Sequence, residues 1–229
     1  MKYKYYLVIV LMMSLACLKP AVGQSKYSID DPDAKYGGFS IIQTTNGTGF
    51  GGYFEWSLNA SNRLIASLHW LIVRGKNDYP IYDPYYDPYG YYAFERYDKT
   101  RLNLLPVQLG YKRILFVDKL ANNFRPFLHL SAGPVIAIDP PNIPDFSDRM
   151  KNIKIFFTTA VSIGTGIDFS YQPGTLISLF VGYDYLKFNH KIDKPEEFII
   201  PDEYDASDFY TGRKNFNGLV VKIGIGKKF

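Results

Sequence analysis

The sequence predicts an all-β fold, namely an eight-stranded antiparallel up-and-down transmembrane β-barrel. Apolar residues alternate with small or polar residues along several segments, which is the pattern of strands with one buried face. The connections between these segments are alternately short and long, and no window keeps a period of 3.6 residues long enough to indicate a helix. Aromatic residues make up 17% of the 229 residues, and the 20 Tyr and 17 Phe among them favour strands over helices.

The first 23 residues have the parts of a cleaved secretion signal. Lys2 and Lys4 precede a mostly apolar run at 5–17, and a small-x-small cleavage site follows at 21–23. The apolar run is shorter than the roughly 18 to 20 residues that a membrane-spanning helix needs, so cleavage is favoured over a retained anchor. Lipid attachment at Cys17 is a further alternative, but the usual Leu three residues before such a Cys is absent.

The signal determines the charge of the remaining chain and the predicted domain boundaries. It contains three lysines and no acidic residue, so cleavage lowers the formal charge from +4 to +1 and removes the only Cys. The remaining chain has no Lys/Arg cluster for nucleic acid and no Cys for a disulfide framework or a zinc site. We expect no cofactor and no metal site. The predicted parts are a signal at 1–23, a periplasmic segment at 24–35 and the barrel at 36–229.

Eight strand-like segments follow one another along this barrel region. The fifth, sixth and eighth show the clearest alternation, with one apolar face and one small or polar face, and the eighth ends in Phe229 on its apolar face. Many outer-membrane proteins end their last strand in this way. The eight segments are 36–45, 49–59, 62–74, 100–114, 124–138, 153–170, 175–188 and 214–229.

The lengths of the connections sort by parity. The second, fourth and sixth connections are short, and the third, fifth and seventh are long. In an up-and-down meander all odd connections lie at one end and all even ones at the other, so this asymmetry is typical of an outer-membrane barrel with short periplasmic turns and long extracellular loops. The first connection, at 45–49, is short and departs from the pattern.

A soluble lipocalin-type barrel shows the same alternation but turns its apolar face inward around a ligand. That arrangement would crowd Ile, Phe and Leu into the interior and coat the surface with the Gly and Ser of the sixth and eighth segments. Small residues inside suit a narrow barrel better. The membrane arrangement, with the apolar face toward lipid, is therefore predicted.

The inward face of this arrangement carries both signs of charge. These side chains are expected to pair, because an isolated charge is costly to bury in a narrow interior. The resulting lumen charge network either fixes the shape of the barrel as a solvated plug or, through exchange of partners, opens a narrow gated conduit. Its predicted members are Glu55, Arg63, His69, Lys112, Arg125, His129, Lys154, Asp168, Asp184 and Lys222, with Gln108 beside them.

One motif raises the possibility of catalysis. His129-Leu130-Ser131 is similar to the His-x-Ser arrangement of lipid A deacylases, in which the His activates the Ser hydroxyl as a nucleophile. The Asn that typically follows that Ser is replaced by Ala132, and no Glu lies within the next dozen or so residues to orient the His. Both side chains are also expected to face the lumen, away from lipid. A lipid-modifying enzyme is therefore the less favoured alternative.

The third connection contains a short tandem of Tyr-Asp-Pro units at 79–92. Pro and Asp stiffen and turn the chain, and Tyr offers a large contact area at a small entropy cost, a composition seen in binding loops. The seventh connection is acidic over 193–208. A self-packed loop that shields the barrel mouth is the alternative to a binding surface. The predicted loop binding surface consists of Tyr82, Asp83, Tyr85, Tyr86, Asp87, Tyr89, Tyr91 and Tyr92.

Several short motifs are spread over the chain: Gln24 beside the cleavage site, 105–111 (LPVQLGY), Arg125-Pro126-Phe127, 164–168 (GTGID) and the terminal Phe229. Together they resemble those of the small outer-membrane β-barrel proteins of Bacteroidota. That group includes PorT-like proteins, one of which serves a secretion system, and many members without a known activity. The resemblance implies a location and a fold far more than a task.

The sequence thus predicts a non-enzymatic protein of the bacterial outer membrane with a structural or interaction role. Its expected partners are outer-membrane lipid, lipopolysaccharide and another envelope protein, and no nucleic acid. The alternatives are a narrow gated channel through the charged lumen, a PorT-like component of a secretion system and, least favoured, a lipid-modifying barrel enzyme.

Overall fold

Eight strands close into a ring in the computed structural model, which describes residues 34–73, 102–117, 123–141, 145–172, 174–192 and 212–229. The elements are β1 (Lys35–Thr44), β2 (Gly47–Ser57), β3 (Asn62–Val73), β4 (Asn103–Ile114), β5 (Phe124–Asp139), α1 (Phe146–Lys151), β6 (Lys154–Gln172), β7 (Thr175–Ile192), β8 (Arg213–Asn215) and β9 (Gly218–Lys228). No helix in these ranges is long and apolar enough to cross a membrane.

The ring is antiparallel throughout. Strands β1 to β7 pair in chain order, and β9 pairs with both β7 and β1, which closes the barrel. The three-residue strand β8 pairs only with β7, and it leads into β9 through Phe216 and Asn217. The predicted fold class, an all-β eight-stranded antiparallel up-and-down barrel, is therefore confirmed.

The strands lie close to the predicted segments. For example, the third segment was expected at 62–74 and β3 spans Asn62–Val73. Two differences occur at the end of the barrel that carries the long connections. Strand β7 continues to Ile192, beyond the expected 188, and the expected segment 214–229 is divided into β8 and β9.

The two ends of the barrel differ as the connection lengths predict. The connections after β2, β4 and β6 lie at the same end as the start of β1 and the end of β9, and we call this the short-turn end. The last of these turns contains Gly174 with φ +74°, a conformation that a residue with a side chain rarely adopts. The connections after β1, β3, β5 and β7 lie at the opposite end, which we call the loop end.

The pairing registers show how strongly the strands are tilted. From Ile42 on β1, the paired residues through β2, β3, β4 and β5 lead to Phe156 on β6. The path in the other direction, through β9 and β7, leads to Gly166 on the same strand. The two paths differ by ten residues, which is the shear of the barrel. A closed sheet acquires such a stagger when its strands tilt, typically by roughly 35–45°. A barrel of eight strands has an interior just wide enough for side chains.

Glycines allow a close approach at the seam between β1 and β9. Tyr53 on β2 lies over this seam, and a Cβ added to Gly226 would lie 2.5 Å from its hydroxyl oxygen. A Cβ on Gly38 would lie 2.3 Å from the carbonyl oxygen of Ile225, which is backbone and cannot swing aside. The seam therefore requires Gly at position 38, and a side chain at position 226 would have to displace the Tyr53 hydroxyl.

Candidate functional site

The barrel interior at the short-turn end holds four charged residues that we call the charge quartet: Glu55, Arg63, Lys112 and Asp168. The registers place Arg63 directly opposite Lys112 on the neighbouring strand. Two like charges in this position repel each other unless anions lie between them. Glu55 on β2 and Asp168 on β6 supply these anions from either side.

The quartet is closed, since each anion contacts both cations. Glu55 Oε1 lies 2.6 Å from Arg63 Nη1, and Glu55 Oε2 lies 3.0 Å from Lys112 Nζ. Asp168 Oδ2 lies 2.6 Å from Lys112 Nζ and 3.8 Å from Arg63 Nη1. All four side chains are at most 1% exposed. Two positive and two negative charges compensate one another, which is the condition under which buried charges are tolerated.

Aromatic rings complete the surroundings of the two cations. The Lys112 ammonium lies 4.2 Å from the centre of the Phe127 ring, and the Arg63 guanidinium lies 5.5 Å from that of Tyr36. The negative face of a ring favours a cation placed over it.

The middle of the interior is a polar space that we call the central chamber, lined by Tyr53, His69, His129 and Lys222. Ser40 Oγ and His69 Nε2 share a hydrogen bond of 3.0 Å, and the Lys222 ammonium lies 5.3 Å from the centre of the Phe180 ring. A second cavity toward the loop end shares His69 and Lys222 with the chamber and also contacts Asp184. It continues between apolar side chains such as Leu71 and Phe216. The chamber has room for only a few water molecules.

The interior at the loop end is apolar, and we call this layer the apolar plug. It includes a T-shaped pair formed by Phe188 and Phe216, whose ring centres are 5.6 Å apart. All of its members are less than 9% exposed. They are Ile42, Leu71, Val73, Leu102, Leu104, Val135, Ala137, Ala160, Leu186, Phe188, Ile192, Phe216 and Val220.

Sequence reasoning did not predict this plug, because it assigned a small or polar character to the whole inward face. A signal was available in the sequence. Near the loop end the alternation gives way to continuous apolar runs at 70–73 and 135–138. Such runs are consistent with strands buried on both faces. Here one face of each run packs in the plug, and the other face lies on the outer wall of the barrel.

The structure brings together four of the ten predicted lumen residues in the quartet. His69, His129, Asp184 and Lys222 lie in the middle of the barrel, where they line the two cavities. Arg125 is buried near the quartet, where the register pairs it with Asp168, and its Nη1 donates a hydrogen bond to the carbonyl oxygen of Phe124 at 3.2 Å. Gln108 is also buried and accepts a hydrogen bond from Ser131 Oγ at 3.4 Å.

Lys154 is the exception, and its predicted place in the lumen is wrong. It has the parity of the inward face, but it is the first residue of β6 and is exposed. Strand β6 pairs with β7 only from Ala160 onward, so Lys154 lies beyond the closed part of the barrel. Parity alone does not reveal how far along the axis a residue lies.

His129 and Ser131 both have the inward parity on β5, as expected. The His129 ring packs edge-on against Phe180 with 5.2 Å between ring centres, and Ser131 is directed to Gln108 rather than to His129. Neither side chain faces the outer wall. Within the described ranges, no three His, Cys, Asp or Glu side chains are grouped so that they could hold a metal ion.

The predicted loop binding surface and the acidic segment 193–208 lie outside the described residues, as does the predicted signal. These interpretations stay predictions. The strands nevertheless determine where both connections start and end: they leave from β3 and β7 at the loop end and return there.

The outward face of the barrel is apolar around its whole circumference. Trp70 Nε1 donates to Asn103 Oδ1 at 2.8 Å, and Trp56 packs at 4.1 Å between ring centres against Phe54. Every barrel strand exposes at least two large apolar side chains. The set, which we call the apolar belt, includes Phe39, Ile41, Phe50, Trp56, Leu64, Leu68, Trp70, Val107, Leu109, Leu128, Leu130, Val161, Ile163, Val181, Tyr183, Leu219, Ile223 and Ile225.

Comparisons with known proteins give structural matches only. Neisserial surface protein A is 9% identical, with a TM-score of 0.49 over 86% of this chain and 96% of that chain. The outer membrane protein OprG from Pseudomonas aeruginosa is 14% identical, with a TM-score of 0.47 over 86% of this chain and 97% of that chain. Ail, the attachment invasion locus protein of Yersinia pestis, is 15% identical, with a TM-score of 0.41 over the same shares. No protein-family profile and no curated protein sequence matches the chain.

Proposed function

We propose that this chain is a β-barrel protein of the bacterial outer membrane with a structural or interaction role, and that its interior is closed to solutes. The apolar belt is the observation that carries the proposal. Soluble monomers rarely expose a continuous apolar surface of this kind, whereas an apolar outer wall around a polar interior is the pattern of transmembrane barrels. The belt thus supports the membrane arrangement over the lipocalin-type one.

Separation of the inner and outer membranes tests the location directly. We expect the protein in the outer-membrane fraction, resistant to extraction with alkaline carbonate. Recovery in the soluble periplasm would contradict the proposal, because the belt would then have to be covered by something other than lipid.

The interior supports a closed barrel rather than a gated conduit. A path along the axis would have to break the quartet at the short-turn end and also widen the narrow cavity between the plug residues at the loop end. Exchange of partners among the charges would open only the quartet and would leave the plug in place. We therefore expect purified monomer in a planar lipid bilayer to show no steady conductance. Steady openings in the parent protein would favour the channel alternative, and loss of these openings in Lys112→Met would assign them to the quartet.

We further propose that interactions take place at the loop end, through the Tyr-rich segment 79–92 and the acidic segment 193–208. The topology supports this, since both segments connect strands at the loop end. In outer-membrane barrels the end with long connections faces the cell exterior. Crosslinking and affinity capture from intact outer membranes should recover a partner with the parent protein and lose it when residues 79–92 are deleted. An identical set of captured proteins in both would exclude the Tyr-rich segment as the binding surface.

The proposed role is non-enzymatic, and the inward orientation of His129 and Ser131 supports this. A strain that lacks the protein should keep an unchanged lipid A mass spectrum. A lipid A species that reappears with the parent gene, but not with Ser131→Ala, would instead support the enzyme alternative. Membership of the PorT-like branch stays a prediction from the sequence motifs, and a secretion defect in the same strain would support it.

A further inference from the structure

Strands β6 and β7 separate at the loop end. Their pairing begins at Ala160 and Leu186, so six residues of β6 (154–159) and six of β7 (187–192) extend beyond it. The β6 extension stays paired with β5, and the β7 extension pairs with β8. The backbone pairing of the barrel wall therefore divides into two arms, and we call this region the fork. A hydrogen bond that Thr158 Oγ1 donates to the Lys187 carbonyl oxygen at 2.5 Å joins the arms near their base.

The outer wall below the fork is apolar and aromatic. Tyr183 pairs with Ile163 and Tyr185 pairs with Val161, and all four side chains are 39–60% exposed on the outward face. On the β5–β6 arm this wall continues upward through Phe157, which is 70% exposed. The surface is thus continuous with the apolar belt.

Two lysines follow the tyrosines on the same face of β7. Alternation along the strand places Lys187 in one outward row with Tyr183 and Tyr185. Lys191 follows in the stretch where the β7–β8 pairing is irregular, and both lysines are exposed. Lys187 lies two residues beyond Tyr185, which corresponds to about 7 Å along the strand. No Lys or Arg occupies a described outward position at the loop ends of five other strands, namely β1, β2, β3, β4 and β5.

This order of side chains matches the order of chemical groups in a lipid leaflet. Apolar residues face acyl chains, tyrosines lie at the interface, and lysines reach the phosphate layer. We propose that the outer face of the fork is a binding site for a phosphate-bearing lipid of the outer leaflet. In this site Lys187 and Lys191 contact the phosphate groups, Tyr183 and Tyr185 lie at the interface below them, and Val181 contacts the acyl chains.

The inference rests on the proposed membrane location but names a particular ligand and site. Charge complementarity selects a phosphate-bearing headgroup over a neutral one, and continuity with the apolar belt selects a lipid over a soluble phosphate. The acidic segment 193–208 follows the fork in the sequence and is the competing occupant of the two lysines.

The test uses the full-length protein in nanodiscs that contain phosphatidylcholine and bisphosphorylated lipid A, with the lipids that remain bound counted by native mass spectrometry. Lys187→Gln/Lys191→Gln should lower the retention of lipid A by about tenfold or more, because each lysine near an anionic lipid surface contributes roughly 1 kcal/mol. Retention of fully dephosphorylated lipid A should be low in the parent and equal in the variant.

The matched control is Lys35→Gln/Lys227→Gln, which removes two exposed, outward-facing lysines at the short-turn end. It should change the retention of lipid A by less than about twofold. An equal loss in both double variants would overturn the proposal in favour of general surface charge. No loss in either would also overturn it, as expected if segment 193–208 occupies the lysines.

Insertion is measured separately, by the shift in gel mobility between unheated and heated samples. Failure to insert would contradict the proposed membrane function. Insertion without selective retention of phosphorylated lipid would contradict only the fork site.

Discussion

At the scale of single residues, Glu55 has an unusual position. Its two carboxylate oxygens contact two different cations, Arg63 and Lys112, while the residue itself is only 1% exposed. Removing one partner of a buried charge group leaves the others uncompensated in a medium that solvates them poorly. Glu55 is therefore expected to matter far more for stability than an exposed acid.

The first prediction concerns this carboxylate. Glu55→Gln should lower the free energy of unfolding by about 3–5 kcal/mol, because it leaves two buried cations with one anion. Urea unfolding of the protein in detergent micelles measures the change. Glu55→Gln/Lys112→Met, which restores the charge balance, should recover part of the loss.

Asp148→Asn is the matched control, since Asp148 forms an exposed pair with Lys151 at 3.3 Å. Such pairs contribute at most about 1 kcal/mol. If Glu55→Gln and Asp148→Asn destabilise the protein equally, the quartet is not a compensated buried group.

At the scale of elements, the seam between β1 and β9 depends on close backbone packing. Gly38 lies against the Ile225 carbonyl and the Gly226 Cα, so that even a methyl group on Gly38 would overlap backbone atoms. Gly52, on the adjacent strand β2, has only the Gly38 carbonyl oxygen within 4 Å of such a methyl group, at 3.7 Å. The two glycines lie on neighbouring strands but differ in the space around them.

The second prediction follows from this contrast. Gly38→Ala should destabilise the barrel by about 1–3 kcal/mol or prevent its closure, because the added carbon forces the strands apart. Gly52→Ala should leave the unfolding midpoint unchanged or slightly raised. The fraction of protein that shows the mobility of folded barrel on unheated gels is the measurement. Equal behaviour of the two variants would show that the seam tolerates a side chain.

A third prediction concerns the plug as a packed layer. Phe188→Ala removes one ring of the pair with Phe216 and should cost about 3–5 kcal/mol in unfolding free energy. Phe157→Ala removes an exposed Phe from β6 and should cost much less in micelles. Similar losses in both variants would indicate that the interior at the loop end is not packed.

At the scale of the whole molecule, the barrel has an apolar outer belt and an interior that is charged and polar at the short-turn end and in the middle, and apolar at the loop end. The two Trp residues of the chain both lie on the belt, 37% and 48% exposed, with Trp56 toward the short-turn end and Trp70 toward the loop end. In a membrane both indoles therefore face lipid, near the two interfaces that Trp favours.

The fourth prediction uses these two side chains as depth markers. In vesicles of lipids brominated along the acyl chains, the fluorescence of both Trp56 and Trp70 should be quenched, more strongly by bromines placed near the headgroup than by bromines near the bilayer midplane. Trp56→Phe and Trp70→Phe separate the two signals. Fluorescence that is insensitive to brominated lipid in both variants would mean that the belt does not contact acyl chains.

The sequence predicts which face of a strand a side chain occupies better than it predicts the position of that side chain along the barrel axis. Alternation predicts which face a side chain occupies, and Glu55, Arg63, Lys112 and Asp168 were all correctly expected inside. That these four residues meet at one level was not predictable, because their heights depend on a register shift of ten residues that accumulates around the ring. The predicted position of Lys154 was wrong for the same reason. The plug was not predicted because the inward face was expected to be small or polar along its whole length.

The seam has a consequence for how the barrel is made. Its pairs join residues that are far apart in the sequence, such as Tyr36 and Lys228, so the ring cannot close before both strands are present. Until β9 arrives, β1 and β7 each present an unpaired edge that can recruit strands from other molecules. Contacts between such distant parts of a chain form slowly. Closure of the ring therefore waits until β9 pairs with both β1 and β7.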